Sequence, residues 1–174
     1  LARIDPLTQL GNRQLLRERL REEAAYARRH HQPCCVALLD IDYFKQINDT
    51  LGHDAGDQAL KHFSKLLVAA LRQEDGAFRY GGEEFVLLLR NADARVGLTT
   101  TDRLRTALRL KPVKLSDGNE RFITFSAGVA VANDENEFLT ENLLPRADEA
   151  LYRAKESGRD RDEVATSEPR PPAP

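Results

Sequence analysis

The chain has 174 residues, a length that makes one domain, with or without a tail. Lys and Arg total 26 against 28 Asp and Glu, and the net charge of −2 gives no support to nucleic-acid binding through bulk positive charge. No apolar run approaches the ~20 residues of a membrane span. The two cysteines, Cys34 and Cys35, are adjacent; neighbouring side chains in a strand point apart, so they make no disulfide framework, and a reducing cytoplasm fits them. The chain starts at Leu1 and contains no Met, which reads as a piece of a longer protein without a signal peptide.

In chain order, the first helix is expected over residues 12–31, where Leu16, Leu20, Ala24 and Ala27 form one stripe of a 3.6-residue period and Pro33 ends it. Residues 36–41 form a short, almost continuous apolar run, the pattern of a strand buried on both faces. Helical pieces follow over 43–51, closed by Gly52, and over 55–72, with Asp54 as the N-cap. Residues 77–80 and 84–90 read as two strands around Gly81-Gly82, a pair that supplies the positive φ of a tight hairpin. A helix over 94–110 precedes a weaker hairpin turning at Asp117-Gly118, whose second strand spans 122–132. The last helix, 143–157, carries Leu144, Ala147, Leu151 and Ala154 as its stripe, with Gly158 as C-cap. Hairpins mixed with helices argue for an α+β fold, a mostly antiparallel central sheet flanked by helices. Residues 1–162 read as one domain. Residues 163–174 contain Pro169, Pro171, Pro172 and Pro174 and almost nothing apolar, the composition of a disordered Pro-rich tail.

Four clusters carry candidate chemistry. Asp40-Ile41-Asp42 ends the buried strand; Asp is a hard oxygen ligand suited to Mg²⁺, which takes one or two carboxylates plus substrate phosphates, although polar strand ends are also ordinary. In Arg79-Tyr80-Gly81-Gly82-Glu83-Glu84-Phe85 the two acids fall on opposite faces. If this hairpin lies beside the first strand, one acid completes a metal site with Asp40; otherwise both are solvated hairpin residues. Glycines without Cβ also let backbone approach a nucleotide closely. Between Asn48 and Asp57, a helix–loop–helix joint accounts for Gly52 and Asp54 but leaves Asn48 and Asp57 as polar groups whose donors and acceptors match the pairing edge of guanine. Lys155 and Arg159 flank Gly158, either complementing a helix dipole or clamping phosphate. His30 and His31 are expected to be solvated, His62 is isolated, and no zinc-type spacing occurs.

Together these segments resemble the GGDEF family, the diguanylate cyclases, over residues 5–162. Asp5-Pro-Leu-Thr-Gln-Leu-Gly-Asn-Arg13 is similar to the family's entry motif, and residues 40–57 to its metal and guanine segment. Residues 79–85 match the signature in its Glu-for-Asp form, and 146–159 the closing motif. The resemblance implies a nucleotide-cyclase or polymerase-palm-like fold with a ferredoxin-like core. It also implies condensation of two GTP into cyclic di-GMP with loss of two pyrophosphates. Carried over residue by residue, Asp40, Glu83 and the Ile41 carbonyl would hold Mg²⁺ or Mn²⁺, two ions per site. Glu84 would be a metal neighbour or the general base, and Asn48 and Asp57 would read guanine. Phe44 and Lys45 would offer donors to the triphosphate, Gly81 and Gly82 would pass close to it, and Lys155 and Arg159 would hold its outer phosphates.

The same resemblance implies a homodimer, because one domain holds one GTP, and an N-terminal sensor region outside this chain. Such a full-length protein could be membrane-anchored while this domain is cytoplasmic. It further implies product inhibition by cyclic di-GMP at Arg72, Asp75 and Arg103, although an Arg-x-x-Asp ion pair at a helix end is common. Asp160 stands where the family usually has Asn, and Ala127 where a larger apolar residue is usual. The rival readings are a non-catalytic nucleotide-sensing module and another two-metal nucleotidyl enzyme; intact Asp40 and Glu83 argue against the first, and the Gly-Gly-Glu-Glu-Phe hairpin with the closing Lys and Arg against the second.

Overall fold

The computed structural model describes residues 2–133 and 140–166. Its elements in order are α1 (Arg13–His30), β1 (Cys34–Ile41), α2 (Phe44–Leu51), α3 (His53–Ala69), β2 (Gly76–Arg79), β3 (Glu84–Arg90), α4 (Ala94–Leu110), β4 (Val113–Lys114), β5 (Glu120–Arg121), β6 (Phe125–Ala132), α5 (Thr140–Glu156) and β7 (Asp162–Val164). All eight residues of β1 are buried, Asp40 among them, in keeping with an almost continuous apolar run in a strand covered on both faces. It is the middle strand of a sheet ordered β2-β3-β1-β6-β7, antiparallel except for the parallel pair β6–β7. The short β4–β5 ribbon stands apart.

Alternation along β1 divides the core in two. Cys35, Ala37, Leu39 and Ile41 face a layer containing Phe44, Ile47, Phe63, Leu67, Leu104 and Leu108 from α2, α3 and α4. Cys34, Val36 and Leu38 face Leu16 and Leu20 of α1 and Leu143, Ala147 and Leu151 of α5. The α+β expectation of helices on a mostly antiparallel sheet holds, and the two cysteines lie on opposite faces. Both thiols are free and buried; burial pushes each pKa up, that of Cys35 to about 12. Close approach of α5 to β6 rests on Gly128, where a Cβ would overlap the Ala147 carbonyl and the Leu151 amide. Among the described residues no helix is long and apolar enough to cross a membrane.

Several boundaries differ from expectation. The joint between α2 and α3 is a single residue: Gly52, at φ 90°, ends one helix and starts the next, so Asp54 lies in the first turn of α3 and is not its N-cap. α3 ends at Ala69, and Arg72 closes a turn with Asp75. Gly81 and Gly82 are not among the residues at positive φ; the Tyr80 and Gly81 amides instead share the Glu84 carbonyl at 2.8 and 3.2 Å, a wider turn that does not need the left-handed region. The strand expected over 122–132 is shorter and is not the partner in the expected hairpin. The Asp117-Gly118 turn, with Gly118 at φ 86°, belongs to β4–β5, and β6 starts only at Phe125. The boundary expected at residue 163 falls inside β7, because the edge of β6 was open and Asp162–Val164 fills it in parallel. Residues 167–174 of the expected tail lie outside the described residues.

Candidate active site

Three carboxylates meet at one end of the sheet because of register. Antiparallel pairing sets Asp40 opposite Glu84 of β3 and Ser126 of β6, and the Ile41 amide donates to the Glu83 carbonyl at 3.2 Å. The hairpin therefore lies beside the first strand, and Asp40, Glu83 and Glu84 come together. α5 delivers the balancing charge: Lys155 Nζ sits 2.6 Å from Asp40 Oδ2, so the lysine does more than complement its helix dipole. Burial raises the Asp40 carboxyl above the usual carboxylate range, outweighing Lys155, with Glu83 and Asp42 adding to the rise. Burial likewise raises Glu84, with Asp40 next in effect. One ammonium for three convergent carboxylates leaves negative charge that a hard divalent cation would relieve. Among the described residues no three His, Cys, Asp or Glu side chains are grouped to hold a metal by themselves. The donor set of two carboxylates and a strand-end carbonyl suits an ion that completes its shell with water and phosphate.

Asp42, two residues on, does different work. Its side chain is fully enclosed and accepts from Thr124 Oγ1 (2.7 Å), Ser126 Oγ (2.7 Å) and the Asp160 amide (3.0 Å). It ties the end of β1 to β6 and to the loop after α5, the loop that carries Arg159. The Arg159 guanidinium stands 4.0 Å from Asp42 Oδ1 and 5.0 Å from the Tyr43 ring centroid. This anchoring role escaped sequence reasoning, which weighed Asp42 with Asp40 as a metal carboxylate or a polar strand end.

Tyr43, at φ 57°, turns the chain into α2 without a side-chain cap, so the first amides of that helix face outward unclaimed by a side chain, the arrangement that favours anions. Phe44 is buried in the core; only its backbone, and not its side chain, remains as a donor. The Lys45 side chain is exposed, 3.8 Å from Asp49. Across the joint, Asn48 on α2 lies against Gly56 of α3, the residue before Asp57. A Cβ at Gly56 would overlap Asn48 Oδ1 and crowd the Phe44 ring, so Gly56 sets the Asn48 side chain against α3. A glycine in the first turn of a helix is costly unless something must approach closely, and that was the available signal.

The entry motif braces the signature turn. Asp5 accepts from Thr8 at 2.9 and 2.7 Å and from Arg79 Nη1 at 3.2 Å, while Arg79 donates to the Gly82 carbonyl at 2.9 Å. Burial opposes the charge on Asp5, but the Thr8 and Arg79 interactions prevail and hold its carboxyl below the usual range. At the opposite end of the β2–β3 hairpin, Arg72 grips Asp75 through Nε (3.0 Å) and Nη2 (2.9 Å) and donates to the Arg90 carbonyl at 2.8 Å. Arg103 reaches the same end of α3, donating to the Ala70 carbonyl at 2.7 Å. His62, expected as an isolated residue, shares a 2.8 Å hydrogen bond with the Lys111 carbonyl.

Fold and site define a nucleotide-cyclase type of α+β domain, with hard oxygen donors at one sheet end and cationic side chains above them. The family model described as diguanylate cyclase, GGDEF domain, matches residues 2–161. The chain is 48% identical over 161 residues to the diguanylate cyclase DgcP of Pseudomonas aeruginosa, covering 92% of this chain and 24% of that protein; it spans about a quarter of that relative's length. It superposes on the GGDEF domain of DgcB from Caulobacter crescentus in complex with c-di-GMP, with TM-score 0.89, 35% identity and coverage of 96% and 95%. Diguanylate cyclase SiaD of Pseudomonas aeruginosa, solved with its activator SiaC, gives TM-score 0.88 and 41% identity, with coverage of 93% and 61%. The chain belongs to the GGDEF family of diguanylate cyclases, a family of signalling enzymes.

Proposed function

We propose that the domain condenses two GTP into cyclic di-GMP and two pyrophosphates, as the output domain of a longer protein, on the cytoplasmic side. The observation that carries this reading is the convergence of Asp40, Glu83 and Glu84 with Lys155 at one sheet end. Asp40, Glu83 and the Ile41 carbonyl are the groups that would hold Mg²⁺ or Mn²⁺, two per site. Bound there, divalent ions would offset triphosphate charge and acidify the 3′-hydroxyl. Phosphoryl transfer depends mainly on positioning and charge, and the chain's own residues supply both. The outward amides of Phe44 and Lys45 and the Lys155 and Arg159 cations hold the phosphates. Glu84, its pKa raised by burial and by Asp40, accepts a proton more readily than an ordinary carboxylate and serves the 3′-hydroxyl as general base or supports the metal shell. Asn48 and Asp57 pair with guanine, and the backbone of Gly81 and Gly82 passes close to the nucleotide, with open space at Gly82, where nothing lies within 4 Å of a Cβ. A site so matched should reject a base that leaves its polar groups unpaired by up to about 10⁴–10⁵.

Each domain holds one GTP, so two face each other in a homodimer. Arg72, Asp75 and Arg103 form the product-inhibition site. The test is product analysis by chromatography and mass after incubation with GTP and Mg²⁺. Cyclic di-GMP is expected from the parent, and none from Glu83→Ala with an unchanged circular-dichroism spectrum. Turnover retained in Glu83→Ala would overturn the metal assignment.

A further inference from the structure

The three residues that follow Ser157 all have left-handed backbone: Gly158 at φ 118°, Arg159 at 65° and Asp160 at 46°. Glycine takes this region freely, but for Arg and Asp it costs on the order of 1 kcal/mol each, so the surroundings must impose it. Backbone bonds do part of this: the Arg159 amide donates to the Ala154 carbonyl (3.0 Å), the Asp160 amide to Asp42, and the Ala127 amide to the Arg161 carbonyl (2.9 Å). The Asp160 side chain reaches elsewhere, between two arginines of α4. Its Oδ1 lies 3.7 Å from Arg105 Nε and its Oδ2 3.7 Å from Arg109 Nη2. Arg105 is a fixed post, buried with its guanidinium 4.1 Å from the Phe125 ring centroid and 2.7 Å from Asp162 Oδ1.

Asp160 Oδ1 is buried yet accepts no hydrogen bond from the described residues. Burying a polar atom in that way costs about 1–3 kcal/mol, so this side chain is poorly explained as a stabiliser of the fold. Asp160 directly follows Arg159 in the left-handed turn. A guanidinium recognises phosphate through a planar fork, and a fork works only when its orientation is held.

We propose that Asp160 is a positioning residue for the outer phosphates of GTP: anchored between Arg105 and Arg109, it holds the left-handed turn that sets the Arg159 guanidinium over Tyr43 and beside Asp42. The inference rests on Arg159 being a phosphate ligand, and the experiment separates the two. Calorimetric titrations of the chain with GTP and with GMP, using Ca²⁺ as the divalent ion, compare a ligand bearing outer phosphates with one lacking them. Asp160→Ala, which loses both the anchor and the tolerance for positive φ, should weaken GTP about 5–10-fold and leave GMP within about 2-fold. Asp160→Asn accepts the left-handed region and keeps an oxygen toward Arg105, and should restore GTP to within about 2-fold of the parent.

Arg159→Ala should weaken GTP at least as much as Asp160→Ala, and spare GMP. If Arg159→Ala loses GTP affinity while Asp160→Ala does not, the positioning role is overturned; equal losses for GTP and GMP in Asp160→Ala overturn it too. If Arg159→Ala binds GTP like the parent, the phosphate reading of Arg159 falls and takes this inference with it. Should Asp160→Ala melt well below the parent, Arg109→Gln, at an exposed position, replaces it. A loss of about 2–3-fold for GTP alone is then expected, and no loss refutes the anchor.

Discussion

Glu84 carries a carboxyl whose charged form the fold disfavours. It opens β3 opposite Asp40, half-buried, and burial followed by the Asp40 charge raises its carboxyl pKa despite Lys155. A carboxyl raised in the folded state contributes stability when protonated, and that contribution is lost as pH rises through the folded value. At neutral pH the charged form is therefore a strain on the fold. Glu84→Gln, measured by thermal melting without divalent ions, should melt above the parent at neutral pH. The gap should close as pH falls through the raised pKa of the parent's Glu84, where that carboxyl takes up its proton. A constant gap at all pH values would show that the stabilisation is not electrostatic. Asp40 is unsuited to this test because its removal strands Lys155, its 2.6 Å partner.

At the scale of an element, α5 is both a layer of the core and the carrier of Lys155. Its stripe of Ala147, Ala150, Leu151 and Ala154 is buried, and the helix lies so close to β6 that a methyl group at Gly128 would meet the backbone of residues 147 and 151. Backbone cannot rotate away as a side chain can, so Gly128→Ala should destabilise by at least about 1–3 kcal/mol in urea unfolding. Because a displaced α5 also withdraws Lys155, cyclase activity should fall further than the folded fraction does. Loss of activity in mere proportion to folding would mean that Lys155 tolerates displacement.

For the whole molecule, the candidate active site and the Arg72 site occupy opposite ends of the β2–β3 hairpin, the first at the Glu83–Glu84 end and the second against the Arg90 carbonyl. The proposed reaction joins two GTP, each held by one domain, and so needs two copies. The rate per chain should therefore rise with protein concentration, and a rate per chain that stays constant down to dilutions at which the chain sediments as a monomer would contradict the dimer. Arg72→Ala removes the guanidinium that grips Asp75, and should relieve inhibition by cyclic di-GMP while leaving the initial rate within about 2-fold. Coupling in this sense requires that ligand at one end change turnover at the other, so equal inhibition constants for Arg72→Ala and parent would remove that site from regulation.

Much of this was legible in the chain itself, because it depends on neighbours in sequence. The almost continuous apolar run at 36–41 specified a strand buried on both faces, the 3.6-residue stripes located α1 and α5, and residues 40–57, 79–85 and 146–159 carried the family. Where sequence reasoning failed, a contact between distant segments had overridden a local preference. Gly81-Gly82 suggested a tight positive-φ turn, but Arg79 holds the Gly82 carbonyl and is itself held by Asp5, 74 positions away. Residue 163 began a stretch of tail-like composition, but the open edge of β6 captured Asp162–Val164 as a strand. The residue types at each spacing determined which chemistry this protein can host. Only the tertiary structure decided which carboxylates share a sheet end, that Asp42 serves as an anchor for the loop of Arg159, and that Lys155 meets Asp40 across 115 residues. The physical reason is that burial, register and charge pairing are properties of juxtaposition, and juxtaposition exists only once the sheet has closed.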